Sequence, residues 1–248
     1  MIELHGKVII ITGASAGIGA ALARVCSQKG ARLALAARRL DKLNSVAEGC
    51  PGEVLVMGSD LTQETDRRAV IRQTMDRWGR VDVLVNNAGV GMYSHFSVTT
   101  EEDWRRVFEI NVFAMVFMTK AVLPIMQKQG TGTVVNMASI GGLIAHSDKV
   151  TPYVASKHAV VGFSRGLARD LAGTGIRVVA VCPHLTDTEF FTVSQGAQEM
   201  AAVVEQYRSF MDSPDEVARG ILDQLHSDRL VVFPTAKPAR AYEKQRDI

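Results

Sequence analysis

Seven short apolar runs recur along the chain with helically spaced segments between them, and this alternation constrains the fold more than any other feature. The runs are Lys7–Thr12, Arg32–Ala36, Val54–Met57, Val81–Val85, Thr133–Met137, Arg177–Val181 and Leu230–Phe233. Several are rich in Val and Ile and do not alternate with polar residues. Strands covered on both faces read this way, which predicts a parallel sheet. The intervening segments Ile18–Lys29, Thr65–Trp78, Glu102–Gln129 and Val154–Leu171 carry helical spacing. Together they predict an α/β fold, a doubly wound parallel sheet between two layers of helices. No repeat, low-complexity tract or long linker interrupts the rhythm, so residues 1–248 are expected to form one domain.

Two places depart from it. Pro124 stands near the end of a long helical segment, where it is expected to kink or end the helix. After Pro183 no strand signal returns before Ser213-Pro214-Asp215-Glu216, a cap residue followed by Pro and then Glu, which predicts a helix starting at Pro214. The stretch 186–212 before it is read as a lid over a site, or alternatively as a surface helix pair covering the sheet edge. The tail Lys237–Ile248 is polar and expected to be exposed.

Charge excludes some functions. The 28 basic and 26 acidic side chains give a net +2, and no basic block of five or more occurs, so neither nucleic acid nor an anionic membrane is an expected partner. Cys26, Cys50 and Cys182 are far apart and are read as free thiols in a reducing compartment. No basic segment followed by a long apolar one opens the chain, and Val112–Met118 is too short to span a bilayer, so a cytoplasmic protein is expected. No Cys/His/carboxylate cluster has metal-site spacing, and no metal is expected.

The first run leads into Thr12-Gly13-Ala14-Ser15-Ala16-Gly17-Ile18-Gly19, and a helix follows. Glycines permit a tight turn and close approach by a ligand, and the helix start offers free N–H groups and a positive dipole end. Strand, glycine turn and helix in that order predict a pyrophosphate site. The same residues match G-x-S-x-G, the nucleophile elbow of a hydrolase. Against that reading, the motif follows the first strand, so no upstream strand loop can complete an oxyanion hole, and no Asp and His stand out as triad partners.

A dinucleotide site that takes NAD(H) has an acid at the end of the second strand. Here Arg32–Ala36 ends in Ala37-Arg38-Arg39. A guanidinium pairs well with phosphate, so NADP(H) is expected over NAD(H), with Arg38 the main ligand of the 2′-phosphate and Arg39 secondary.

Tyr153 and Lys157 stand four apart, on one face of a helix. A free tyrosine titrates near about 10, and a nearby ammonium lowers that value, so the pair can move a proton closer to neutral pH. Ser139 follows one strand and Asn86-Asn87-Ala88-Gly89 follows another, at the strand ends where open α/β sheets bind ligands. Asn111 lies in an apolar helical stretch, where a buried amide needs a partner.

Thr12–Gly19, Asp60, Asn86–Gly89, Asn111, Ser139 and Tyr153-x-x-x-Lys157 stand in the order and rough spacing of the short-chain dehydrogenase/reductase family, which the chain resembles from about residue 5 to 185. The resemblance implies a Rossmann-type sheet of seven strands. It implies that Tyr153 is the acid/base, that Lys157 holds the nicotinamide ribose and depresses the Tyr153 pKa, that Ser139 orients the carbonyl, and that Asn111 positions a water leading from Lys157 to solvent. Gly13, Ser15, Gly17, Ile18, Gly19, Asp60, Leu61, Asn87, Ala88, Gly89, Tyr153, Lys157 and Pro183 would line the cofactor, with Asp60 at the adenine. The family usually has Pro-Gly after the sixth strand; here it is Pro183-His184, so His184 takes room near the nicotinamide and either points aside or shapes substrate choice. The altered motif leaves Thr186 and Thr188 both open as contacts of the carboxamide.

The expected pocket comprises Val90, Met92, Tyr93, Ile140, Leu143, His146, His184, Leu185 and Phe190. It is mostly apolar and suits a small-molecule carbonyl or alcohol with few polar handles. Two other readings stand beside this one: a 3-oxoacyl thioester reductase, and a cofactor-bound regulator without turnover. The resemblance also implies a homodimer or homotetramer built on the helices that carry Asn111 and Tyr153.

Overall fold

The computed structural model describes residues 4–145 and 147–245. Strands β1 Val8–Thr12, β2 Arg32–Ala37, β3 Val54–Gly58, β4 Val83–Asn86, β5 Gly132–Met137, β6 Ile176–Val181 and β7 Val231–Val232 form one parallel sheet in the order β3-β2-β1-β4-β5-β6-β7. The strand order reverses between β1 and β4, and at such a switch point the loops part and leave a crevice. The principal helices are α1 Gly17–Gln28, α2 Leu40–Glu48, α3 Glu64–Trp78, α4 Glu101–Phe108, α5 Ala114–Gln129 and α6 Thr151–Asp170. After β6 come α7 Phe190–Val193, α8 Ala197–Tyr207, α9 Pro214–Gln224 and, after β7, α10 Ala236–Gln245.

Every residue of β1 is buried, because its side chains alternate between two filled layers. Ile9 and Ile11 join Leu22, Cys26, Val217 and Ile221 on the α1/α9 side. Ile10 joins Leu84, Val134, Val70, Met118, Val122 and Met126 on the α3/α5 side. Burying each such side chain contributes about 1.5–3 kcal/mol, which is why these strands tolerate no polar alternation. All three cysteines are buried.

The helical segment 101–129 neither ends nor breaks at Pro124, which lies inside α5 on the exposed face. The missing N–H would have served the carbonyl of Lys120, an exposed residue, so water can replace the lost bond. The irregularity comes earlier, in a π-helical turn at Glu109–Phe113 that links α4 to α5. By length and hydropathy Glu101–Gln129 would pass for a membrane span. Its buried Met115, Met118, Val122 and Met126 face the protein core, which accounts for that hydropathy.

One further expectation is corrected. The chain after Lys237 is helical through Gln245, and Tyr242 rests on Phe233 with ring centroids 5.8 Å apart. Lys237 is also anchored, 2.8 Å from the buried carboxylate of Asp212. Segment 186–212 packs on the loop after β4, where Tyr93 N donates to Gln195 O at 2.9 Å and Met92 bridges to the same residue, and its end meets the residues that follow the edge strand β7, Thr235 Oγ1 donating to Asp212 at 2.6 Å. The Ser213–Glu216 capping box and the start of α9 at Pro214 match the sequence signal.

Asp82, at the opposite end of the sheet from that loop, closes the bottom of β1. Its buried carboxylate accepts from Val8 N at 2.9 Å and from Arg80 at 2.7 and 2.9 Å, with Lys7 3.7 Å away. Burial raises its pKa, but the Arg80 and Val8 hydrogen bonds and the two cations outweigh burial and hold it below the usual carboxylate range. Such a group stabilises the fold fully above its unfolded pKa, and the contribution is lost as pH falls through the lower folded value. Asp82→Ala is expected to lose about 1–3 kcal/mol at pH 7 and less below about pH 4, readable by urea melts at both pH values. An equal loss at both would contradict it.

Candidate active site

The glycine turn and the loop after β4 face each other across the switch point. Gly13 and Gly17 have φ of +63° and +56°, the left-handed region that glycine enters without strain. A Cβ on Gly13 would also stand 2.8 Å from the Ala88 Cα. The two loops are pinned by Thr12, whose hydroxyl accepts from Asn87 N at 2.9 Å and Ala88 N at 3.0 Å and donates to Val85 O. The Asn87 side chain returns the tie, donating to Thr12 O at 3.0 Å and Gly13 O at 3.2 Å. Sequence reasoning placed Thr12 at the turn without giving it a role. The available signal was a hydroxyl at the end of a fully apolar strand, which must find partners.

Ala16 caps α1 and has no side-chain oxygen to offer, so no side chain caps the N–H groups of its first turn. An uncapped helix start behind two left-handed glycines fits a pyrophosphate. The donor set along the crevice therefore suits a dinucleotide. Ile18 is partly buried against the core behind the turn. Ser15 is bonded to Arg39, whose Nη2 lies 3.3 Å from its Oγ, and not to a histidine, which removes the basis for a nucleophile elbow.

The two arginines at the end of β2 differ in their surroundings. Arg39 reaches Ser15 of the turn, while Arg38 is exposed. Arg39 and Lys42 both pair with Glu189, at 2.8 and 2.6 Å. A cavity of about 330 Å³ opens beside them, lined by Ser15, Arg24, Lys42 and Glu189 among others. Asp60 spends one carboxylate oxygen on its own loop, accepting from Thr62 N at 3.0 Å and Thr62 Oγ1 at 2.8 Å. The Leu61 side chain is buried in the core and its carbonyl accepts from Arg67.

The four residues Asn111, Ser139, Tyr153 and Lys157 converge at the carboxyl ends of β4 and β5. A Cβ on Gly141 would lie 3.5 Å from Ser139 Oγ and 3.8 Å from Tyr153 Cε1. One on Gly89 would lie 3.2 Å from Asn111 Oδ1 and 3.7 Å from Lys157 Nζ. These glycines leave the space in which the four side chains meet. Lys157 Nζ stands 5.7 Å from the Tyr153 ring centroid and donates to Met137 O at 2.7 Å. Asn111 sits in the π-helical turn, and its amide forms a two-way bond with the Val90 backbone, at 2.8 and 2.9 Å. Its second N–H goes to Ser156 at 3.0 Å, and Ser156 in turn bonds Tyr153 O at 2.7 Å. Ser156 is a support that sequence reasoning missed, although it lies within the Tyr153–Lys157 turn.

Burial disfavours both charged forms. It pushes the Tyr153 phenol up to about 12, with Ser139 opposing through a hydrogen bond, and brings the Lys157 ammonium down to about 8. The expected lowering of Tyr153 by Lys157 is therefore not seen among the protein groups alone. The ammonium is turned to Met137 O rather than toward the phenolic oxygen.

The segment after β6 closes over this face. Ile140 N donates to Pro183 O at 2.9 Å, tying it to the Ser139 loop. Thr186 is buried, donates to His184 O and bridges to Asp212. Thr188 lies against the glycine turn: its methyl would lie 3.0 Å from a Cβ on Gly17. Phe190 leans on Tyr153, ring centroids 5.6 Å apart. Of the expected pocket residues, Val90, Met92 and Ile140 are buried in the protein, whereas Tyr93, Leu143, His184, Leu185 and Phe190 are partly exposed. His146 lies outside the described residues.

A family model described as short chain dehydrogenase matches residues 7–199. The chain is 36% identical over 224 residues to the 3-oxoacyl-(acyl-carrier-protein) reductase FabG of Thermotoga maritima, covering 89% of this chain and 90% of that protein. Its fold is similar to that of a short chain dehydrogenase/reductase from Burkholderia phymatum in complex with NAD, with a TM-score of 0.88, 26% identity and coverage of 98% and 94%. Levodione reductase is similar to the same degree, with a TM-score of 0.88, 28% identity and coverage of 96% and 100%. A seven-stranded Rossmann-type sheet, a glycine turn at its switch point, the serine, tyrosine and lysine gathered beside it, and these likenesses lead to one conclusion: the chain belongs to the short-chain dehydrogenase/reductase family of oxidoreductases.

Proposed function

We propose that this protein is an NADP(H)-dependent oxidoreductase that moves a hydride between the nicotinamide and a carbonyl or secondary alcohol of a largely apolar small molecule. The observation that carries the reading is the meeting of Ser139, Tyr153, Lys157 and Asn111 around Gly89 and Gly141, next to an uncapped helix start. The cofactor, when bound, supplies or accepts the hydride. The protein's own groups do the rest. The N–H groups of the Gly17–Gly19 turn hold the pyrophosphate, and Arg39 with Arg38 holds the 2′-phosphate. The Ser139 hydroxyl donates to the substrate oxygen. The Tyr153 hydroxyl gives its proton to that oxygen in reduction and takes it back in oxidation. Lys157 holds the nicotinamide ribose and restores the charge balance at the phenol. With both amide N–H groups committed to Val90 and Ser156, Asn111 can hold a water beside Lys157 only through an oxygen lone pair.

The test is NADPH consumption against a panel of apolar ketones. Turnover with NADPH well above that with NADH supports the reading. Tight nucleotide binding without turnover on any member would favour a regulator instead. Arg39→Ala is expected to weaken NADPH binding about tenfold or more and to leave NADH nearly unchanged, as titrations of each cofactor would show. Equal losses for both would remove the 2′-phosphate assignment.

The likeness to the Thermotoga maritima enzyme favours a second substrate class, a 3-oxoacyl thioester. Including acetoacetyl-CoA in the panel decides between them. The reading further includes a cytoplasmic homodimer or homotetramer. Phe113 and Phe117, exposed and stacked 6.4 Å apart along the helix after Asn111, are the apolar surface that supports subunit contact there.

A further inference from the structure

An acid from the lid segment holds the cations that the 2′-phosphate would need. Glu189 Oε2 is 2.8 Å from Arg39 Nη1, and Oε1 is 2.6 Å from Lys42 Nζ. The same Arg39 donates to Ser15 of the glycine turn. Arg24, on the same cavity, is directed to Asp215 at 3.4 Å, so the cations that Glu189 neutralises are Arg39 and Lys42. The residues on either side of Glu189 reach the rest of the site. Thr188 lies against Gly17, and Phe190 lies against Tyr153. Three consecutive residues thus span the crevice from the adenosine end to the acid/base.

We infer that Glu189 is a specificity-determining residue of this enzyme: it stands in for the 2′-phosphate on Arg39 and Lys42, and a 2′-phosphorylated cofactor displaces it and draws Phe190 off Tyr153. This rests on the NADP(H) reading above. A phosphate carries nearly two negative charges and cannot share two cations with a carboxylate at hydrogen-bond distance without strong repulsion. Glu189 leaves, and where the backbone at 189 shifts with it, Phe190, the next residue, moves off the tyrosine; the exchange measurement below reads that coupling. A cofactor without the 2′-phosphate leaves the carboxylate in place and Phe190 on the tyrosine. Discrimination then acts on access to Tyr153 as well as on affinity.

The test uses adenosine 2′,5′-bisphosphate and adenosine 5′-monophosphate, which differ only in the 2′-phosphate and do not reach the nicotinamide end. Calorimetry on the parent protein and on Glu189→Gln gives the affinities, and hydrogen exchange of residues 189–194 is read on the same samples. Glu189→Gln is expected to bind the bisphosphate about three- to tenfold more tightly, the range that loss of exposed competing ion pairs allows, and the monophosphate no more tightly. The bisphosphate alone should speed exchange in the parent, and the variant should exchange fast without ligand. Equal changes for both nucleotides, no change for either, or exchange insensitive to the bisphosphate would overturn the inference. If the parent protein shows no preference for the bisphosphate at all, the NADP(H) reading fails with it; a preference that Glu189→Gln leaves untouched removes the role of Glu189 alone.

Discussion

Tyr153→Phe is expected to lose about 10²- to 10⁴-fold in kcat for carbonyl reduction while still binding NADPH as the parent does. The substitution removes one oxygen and keeps the ring. The contacts of that ring with Phe190 and Lys157 are therefore kept, and the backbone carbonyl that holds Ser156 is untouched. What disappears is the proton that the substrate oxygen must receive. Neither described neighbour replaces it: the Ser139 hydroxyl, which accepts from Gly141 N at 3.1 Å, keeps its O–H for a hydrogen bond to the substrate but is too weak an acid to give the proton up, and the Lys157 ammonium is turned to Met137 O. Burial keeps the phenol protonated through neutrality in the protein alone, so the proton is there to be given. Alcohol oxidation, which needs the phenolate, should therefore rise with pH, while reduction stays flat through neutrality. Steady-state rates in both directions between pH 6 and 10 read both predictions (the range is about that in which the assay is practicable). Retained turnover in Tyr153→Phe would end the assignment.

Lys157→Met is expected to abolish useful turnover and at the same time to make the protein more stable at pH 7. Lys157 is 5% exposed, and burial lowers its pKa from the ordinary 10.5 to about 8. Above the unfolded value both states are neutral. As pH falls from there to about 8, the unfolded chain takes up a proton that the folded one refuses, so folding becomes less favourable; below about 8 the penalty is constant. Its full size corresponds to about 3 kcal/mol. Met fills the space without the charge, but it gives up the hydrogen bond to Met137 O, which costs about 1 kcal/mol. The net expected gain is about 1–2 kcal/mol at neutral pH, or a rise of about 2–8 °C in Tm for a chain this long, and it reverses to a loss of about 1 kcal/mol above about pH 10.5, where only the missing hydrogen bond is left. Thermal melts at pH 7 and at pH 10.5 check it. A variant less stable than the parent at pH 7 would show that the lysine is held by more than the site describes. Stability given up to keep an ammonium beside a phenol is what a catalytic role predicts.

The sheet was legible in the sequence because strands buried on both faces leave a run of Val and Ile that no other element leaves. The structure moved their ends by a residue or two, as with Val83–Asn86 against the expected Val81–Val85. The site was legible for a related reason: Gly13–Gly19, Asn87 and Ser139 lie where those runs stop, so finding the strands found the crevice. What escaped depends on partners distant in sequence. The π-helical turn at Glu109–Phe113 carries Asn111, whose amide reaches Val90, and no local rule announces either; Pro124, which local rules single out, lies harmlessly on the exposed face. The ties of Arg39 to Ser15 and Glu189 escaped in the same way, since Glu189 is 150 residues away. The tail beyond Lys237 reads as polar, yet it is anchored by Asp212, which looks like any other loop acid until it is seen to be buried.

The most direct test of the central claim is a crystal structure of the protein soaked with NADP⁺. The account predicts the pyrophosphate on the N–H groups of Gly17–Gly19, the 2′-phosphate on Arg39 and Arg38, and the nicotinamide ring against Tyr153 with its ribose on Lys157. A nucleotide bound elsewhere, or one whose nicotinamide lies away from the Tyr153 hydroxyl, would contradict it.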